Sequence, residues 1–293
     1  MKEASPIERV KLDGFEFFVK RDDLLGNYLG GNKARKLEFF IQNAHHFKPN
    51  SRIISYGSAQ SNALAALSVF AKQKGFQLIF VCEKIASFLK NNPCGNYAFA
   101  LQNGVEIVEN ADFPTRKEKA LRLVLEDDIF IEEGIANKAA ALGFEVLAYE
   151  IEKQSRALNF KFDIFLPAGT GVSALYLAKF SKFRVFTCAC VGDEEYLKKQ
   201  MQVVEPNFRL SKLNILKTPR KFHFAKPYKE LLSIYQRALN ECGIEFSLLY
   251  DSVGLITMLE NRHLFKHSLL YIHQGGAFGN ASMLARYAYK GFL

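Results

Sequence analysis

Apolar segments of two different periods alternate along nearly the whole chain, and that alternation constrains the fold more than any single motif. Strand-like runs include FEFFVKRDD (15–23), RIISYG (52–57), FQLIFVCE (76–83), FDIFLPA (162–168), FRVFTCACV (183–191) and IEFSLLY (244–250). Between them lie stretches of helical spacing such as SNALAALSVFAKQKG (61–75), ANKAAALGFEVLAYEIEKQ (136–154) and VSALYLAKF (172–180). Parallel strands need crossover connections, so this order predicts an α/β protein with mostly parallel sheets. Ligands in such folds sit at the carboxyl ends of strands, in the loops that open helices. Four loops of that kind stand out: LGGNK (29–33), GSAQSN (57–62), PAGTG (167–171) and HQGGAFG (273–279). There is no repeat, low-complexity tract or long linker, so any second domain must be an insertion with short crossings.

Bulk properties narrow the function classes. The chain has 293 residues, 49% of them hydrophobic and 24% charged, which suits a globular protein able to bury a large core. No apolar run approaches membrane-span length and MKEASPIERV does not read as a signal peptide, so the expected location is the cytoplasm. The net charge of +9 is spread among acids rather than gathered into a stripe. Its densest stretch, residues 216–229, carries no nucleic-acid-binding motif, so neither nucleic acid nor membrane is an expected partner. Cys82, Cys94, Cys188, Cys190 and Cys242 lack metal-ligand spacing, and Cys188 and Cys190, alternate on one strand-like run, read as small core residues rather than metal or redox groups.

The chemistry starts at Lys33. Asn32 is a plausible helix N-cap, and Leu37, Phe40, Ile41 and Ala44 follow at helical spacing with Lys33 on the same face. Arg35 and Lys36 are expected to lean toward solvent. A lysine aimed inward is costly unless it is paired, neutralised or used. In the third loop a buried strand runs into Gly169-Thr170-Gly171-Val172-Ser173 and then a helix, which is either a tight structural turn or an anion cradle. In the second, Ser58, Gln60, Ser61 and Asn62 crowd a helix start, where they could cap the helix or grip a small carboxylate. His273 at a strand end reads first as a structural residue. One inward lysine, one anion loop and one polar helix start together suggest pyridoxal 5′-phosphate.

VKRDDLLGNYLGGNKARKLEF, GSAQSNA, GTGVS and HQGGAFG also occur in the order seen in a known family. Together they resemble the 1-aminocyclopropane-1-carboxylate deaminase / D-cysteine desulfhydrase family. That resemblance implies fold type II, a tryptophan-synthase-β-like architecture of two three-layer α/β domains around pyridoxal phosphate. It implies a larger domain from residues 1–49 and 156–293 and a smaller inserted one from residues 50–155. Carried over by position, Lys33 is the Schiff-base lysine and proton-transfer base, and Ser61 holds the substrate carboxylate and assists proton traffic. Asn62 faces the phenolic oxygen, Gly169, Thr170, Gly171, Val172 and Ser173 hold the phosphate, and Gln274 lies near the pyridine nitrogen. Ser58 and Gln60 join Ser61 and Asn62 at the substrate. Relatives of this kind are commonly dimers.

Three departures bear on substrate. Ala63 replaces a family histidine. If DSVGLIT (251–257) matches the family's D-P-V-Y-[TE]-G-K, then Gly254 replaces the reactive-site tyrosine and Leu255 the Thr or Glu near the ring nitrogen. Setting Tyr250-Asp251 on that Tyr-Thr/Glu pair instead would restore both groups; the first alignment is adopted. Opening a cyclopropane ring needs groups beyond Lys33, whereas β-elimination needs an α-proton base and a leaving group. The reading is therefore a desulfhydrase-like lyase acting on a small amino acid such as D-cysteine and giving pyruvate, ammonia and sulfide. The cyclopropane deaminase, an amino-acid racemase and a non-catalytic binding relative remain alternatives.

Overall fold

Every residue of Phe162–Ala168 is buried, which explains why the chain's apolar runs hardly alternate: this strand is covered on both faces. In the computed structural model, which describes residues 4–26 and 30–293, ten strands form two sheets. The strands are β1 (Ile7–Leu12), β2 (Phe15–Lys20), β3 (Arg52–Tyr56), β4 (Gln77–Glu83), β5 (Glu106–Asn110), β6 (Ile129–Ile131), β7 (Phe162–Ala168), β8 (Arg184–Ala189), β9 (Leu213–Leu216) and β10 (Ser268–Ile272). The first five helices are α1 (Asn32–Gln42), α2 (Asn62–Lys74), α3 (Ser87–Asn91), α4 (Gly95–Gln102) and α5 (Arg116–Leu123). They are followed by α6 (Ala141–Leu158), α7 (Val172–Phe180), α8 (Glu194–Val204), α9 (Lys229–Cys242), α10 (Asp251–Glu260) and α11 (Asn280–Tyr289).

The larger sheet has the order β1-β2-β10-β7-β8-β9 and the smaller β5-β4-β3-β6. Apart from the antiparallel β1–β2 pair, every pairing is parallel. Each sheet is the middle of three layers. On β7, Ile164 and Leu166 face a core shared with α6, α7 and α8, while Phe165 faces a core shared with α9 and α10. On β3, Ile53 faces α1 and α2, while Ile54 and Tyr56 face α5. Complete burial of one such side chain contributes about 1.5–3 kcal/mol.

Residues 50–155 supply the whole smaller sheet, whereas Phe144, Leu147 and Ile151 of α6 pack into the larger sheet's core. α6 also meets α1 backbone to backbone: a Cβ on Gly143 would lie 1.9 Å from the Arg35 carbonyl oxygen. This crossing fixes the helix that carries Lys33.

Three segments differ from the sequence expectations, one of them the short strand β9 (Leu213–Leu216), which the sequence reading did not include. IERVKL is a strand, β1, that its mixed polarity does not announce. IEFSLLY is not one, although Ile244, Phe246 and Leu248 are buried at alternate positions. Its backbone polar groups are met by side chains instead. Leu248 N donates to Asn280 Oδ1 (2.8 Å), Ser247 N to Asp251 Oδ2 (2.9 Å), and Asn280 Nδ2 to Phe246 O (2.9 Å). A period of two reports alternate burial, and side-chain acceptors can satisfy such a segment without a neighbouring strand.

Candidate active site

The four loops singled out from the sequence lie at the carboxyl ends of β2, β3, β7 and β10, and they converge. Gly31 (φ 74°) precedes α1. A Cβ there would lie 1.8 Å from Gln274 O, so the α1 loop touches the loop after β10 with no room for a side chain. Asn32 N donates to the same carbonyl at 3.0 Å. Gly31, not Asn32, holds the N-cap position, and the Asn32 side chain does not cap. Asn32 Nδ2 reaches instead to Ser173 Oγ (3.3 Å) and Gln274 Oε1 (3.2 Å), linking three of the loops. Tyr28 and Leu29 lie outside the described residues.

Lys33, Asn62, Asn96, Phe99, Gln274 and Phe278 line one cleft that encloses about 460 Å³ including its mouth. Lys33 Nζ lies 3.5 Å from Gly134 O, in the loop after β6. Lys36 Nζ donates to the same oxygen at 2.9 Å and is almost fully buried. The expectation that Arg35 and Lys36 lean to solvent is therefore wrong for both, because α1 is packed on several sides. Among the described residues, no carboxylate pairs with Lys33 or Lys36. Burial pushes the Lys33 pKa down to about 8. Lys36 falls well below the usual lysine range through burial first and then the adjacent Lys33 charge. Two amines this close and partly withdrawn from water do not both hold a proton easily.

Gly169 through Ser173 form the turn from β7 into α7, with Gly171 in the left-handed region at the N-cap. The first N–H groups of a helix have no intrahelical acceptor and point out of its start, which makes this turn anion-receptive. Thr170 packs against Gly134, where a Cβ would lie 3.4 Å from Thr170 Cγ2. The anion-receptive turn and the two lysines thus meet across one residue.

The second loop divides. Asn62 lines the cleft, whereas Ser61 Oγ caps α2 by accepting from Leu64 N at 3.1 Å. Gln60 Nε2 is tied to Cys94 O (2.9 Å), and Ser58 Oγ accepts from Gln60 N. Neither Ser58 nor Gln60 is among the cleft-lining residues, and Gln274 is held to Pro167 O at 2.6 Å. His273 is fully buried, stacked on Phe246, with Nδ1 accepting from Gly275 N and Nε2 facing Glu245 O. Since Nδ1 accepts, Nε2 carries the proton, which makes the ring a neutral structural residue.

The adopted alignment at α10 is overturned. Gly254 lies under β7, where a Cβ would meet Pro167 at 3.0 Å and the Tyr271 hydroxyl at 2.8 Å, so neither it nor its neighbour Leu255, which is packed in the core, presents a group to the cleft. Tyr250, one turn earlier, lies against the anion loop, with its ring 3.1 Å from a Cβ position on Gly169. The shifted alignment is therefore the one that sets a tyrosine against the anion loop. Asp251, its neighbour, is buried and accepts from Tyr271 Oη at 2.7 Å and Ser247 N at 2.9 Å. Burial raises its pKa above the ordinary carboxylate value.

The sequence profile of the pyridoxal-phosphate dependent enzyme family matches residues 4–198. The chain belongs to that family. The bifunctional D-cysteine desulfhydrase/1-aminocyclopropane-1-carboxylate deaminase of Arabidopsis thaliana is 25% identical over 94% of this chain and 77% of its own. The D-cysteine desulfhydrase of Serratia proteamaculans is 30% identical over 54% of this chain and 52% of its own. The chain thus spans about half the length of curated relatives it matches at 30 or 31% identity. The crystal structure of an ACC deaminase homologue superposes with a TM-score of 0.78 at 22% identity, covering 97% of this chain and 94% of the other, which establishes the shared fold.

The residues present suit the family's cofactor. Pyridoxal phosphate needs an amine for its aldehyde and donors for its phosphate, and the cleft offers Lys33 for the first. The α7 start and the Lys36 amine, both bordering Gly134, are suited to the second. Lys36, Asn96 and Gly134 were not reached as site residues from the sequence reading, and Tyr250 entered it only through the alignment that was set aside. For Lys36 a signal was available, since a lysine three residues after Lys33 shares its face. Among the described residues no helix is long and apolar enough to cross a membrane, and no His/Cys/Asp/Glu cluster could hold a metal ion.

Proposed function

We propose that this chain is a lyase acting on a small amino acid, with D-cysteine as substrate and pyruvate, ammonia and sulfide as products. The observation that carries the reading is Lys33: an amine with no acidic partner among the described residues, lowered to about 8, that lines a cleft and lies against Gly134, the residue the anion-receptive turn also borders. A lysine in that state is a competent base near neutral pH. Lys33 removes the α-proton, and the thiolate leaves the β-carbon and takes up a proton. The bound cofactor supplies an electron sink for the α-carbon. Water then releases ammonia and pyruvate from the unsaturated product.

Around that step, Gly169–Ser173 and Lys36 hold the phosphate and Asn62 the ring oxygen. Gln274 stands by the ring, and Ser61 keeps its hydroxyl proton to donate to the substrate carboxylate. The site is part of a two-unit chain, residues 50–155 being inserted between 1–49 and 156–293, and the protein works as a homodimer in the cytoplasm.

Tyr250 favours a second reading. A hydroxyl beside Gly169 supplies the extra group that cyclopropane ring opening requires, so ring-opening deamination of 1-aminocyclopropane-1-carboxylate stands beside D-cysteine elimination. The deciding experiment measures pyruvate, 2-oxobutyrate and sulfide from D-cysteine, L-cysteine and the cyclopropane amino acid. Sulfide and pyruvate in equal amounts from D-cysteine support the first reading. 2-Oxobutyrate without sulfide supports the second, and inverted substrate without keto acid sinks both.

A further inference from the structure

Asn96, the second residue of α4, is fully buried on the wall of the cleft, and neither the motifs nor the family reading assigned it a task. Its Nδ2 donates to Gln60 O and to Asn62 Oδ1, both at 2.9 Å. A backbone carbonyl only accepts, so the Gln60 bond determines which end of the Asn96 amide is nitrogen. That nitrogen then determines Asn62. The Asn62 oxygen is turned back toward α4, and its NH2 group faces the other way, toward Gly276, where a Cβ would lie 2.5 Å from Asn62 Nδ2. Asn62 and Gly276 both line the cleft.

Stapling α4 to the 58–62 loop does not require this arrangement, because Gln60 Nε2 already bonds Cys94 O at 2.9 Å. Asn96 also carries a cost, since its Oδ1 is buried with no partner among the described residues. An orphaned acceptor at one end and two donated bonds at the other point to orientation as the residue's task.

We propose that Asn96 is a positioning residue that locks the Asn62 amide, so that an N–H group and not a carbonyl is presented to the cofactor's phenolic oxygen. This rests on the reading of Asn62 as the residue facing that oxygen. A donor there stabilises the deprotonated oxygen, and a carbonyl would repel it.

The test reconstitutes the full chain with pyridoxal phosphate and follows the visible absorption band against pH, together with the apparent Kd for the cofactor. Asn96→Asp has the same shape but cannot donate to Gln60 O or Asn62 Oδ1. It should weaken cofactor binding about tenfold, as loss of a charge-assisted hydrogen bond does, and should move the pH midpoint of the visible band. Asn62→Ala should do the same. Adding Asn96→Asp to Asn62→Ala should change neither quantity further, because the two residues act through one amide. Asn96→Ser provides a second variant if the aspartate does not fold, with the same midpoint shift expected.

The proposal is overturned if the Asn96 variants titrate as wild type, or if the effects of the two substitutions multiply. A lower melting temperature with an unmoved midpoint also overturns it, since that is a purely structural role. A wild-type protein that forms no visible band removes the cofactor reading and this inference together. A wild-type band that the Asn96 variants leave untouched removes the inference alone.

Discussion

Helix α1 carries basic residues at 33, 35 and 36, and its two sides treat them in opposite ways. On one side Arg35 is buried among acids. Its guanidinium reaches Asp22 at 2.8 and 3.0 Å and Glu150 at 2.7 and 2.8 Å. Glu150 also takes Lys20 Nζ at 3.0 Å, and Lys20 in turn reaches Ser5 O and Gln154 Oε1. Burial opposes the Arg35 charge, yet Asp22 and Glu150 hold its pKa above the ordinary value. On the other side Lys33 and Lys36 share one carbonyl, Gly134 O. Burying a cation costs several kcal/mol unless a partner compensates it. The paired cation anchors the helix. The amines without a carboxylate, which would be a pure penalty in an inert protein, are the ones the proposed function uses.

Substitutions at the two sides should therefore have different consequences. Lys33→Ala should reduce turnover by more than about a thousandfold, the scale of losing a positioned base, and should abolish the visible band while leaving the fold intact by circular dichroism. An unchanged band would mean that the helix aims the wrong amine. Arg35→Met leaves Asp22 buried without its partner. It should lower stability by about 3 kcal/mol or more, read as a lower urea midpoint at unchanged slope, and a midpoint shared with wild type would show that the network is not anchoring α1. Lys36→Met should weaken cofactor binding by about ten- to a hundredfold, the range for a hydrogen bond to a charged group. It should not destabilise the cofactor-free protein, because it removes an uncompensated buried amine.

The smallest expected effect is on pH dependence. The folded Lys33 pKa of about 8 lies below its ordinary value of 10.5, so between those values the unfolded chain binds more protons than the folded one. The stability of the cofactor-free protein should therefore rise with pH across that window, and Lys33→Met should flatten the rise. A curve falling through the window would contradict an amine withdrawn from water with no carboxylate beside it.

The comparison also shows what was legible beforehand. The inward aim of Lys33 followed from helical spacing, but the spacing could not rank Arg35 and Lys36 as buried. A single amphipathic face assumes one packing partner, whereas α1 is packed against α6 and against the smaller sheet's core. The glycine loops were readable because left-handed backbone and close approach leave a local mark, as at Gly31 and Gly171. Tyr250 was considered and set aside for the opposite reason. The choice between Tyr250 and Gly254 depends on which turn of α10 abuts the anion loop, and no local rule contains that distance. Asn96 left no signal beyond its identity, because its role depends on two acceptors some 35 positions away, Gln60 and Asn62.

By itself the sequence determined the α/β alternation, the loops at which helices open and the lysine that turns inward. These follow from side-chain periodicity and backbone sterics, both of which act over a few residues. The tertiary structure decided which cations find carboxylates, whether an apolar run joins a sheet, which tyrosine abuts the anion loop and which asparagines line the cleft. Those outcomes depend on pairing and desolvation between segments far apart in the chain, and they exist only once the layers have packed.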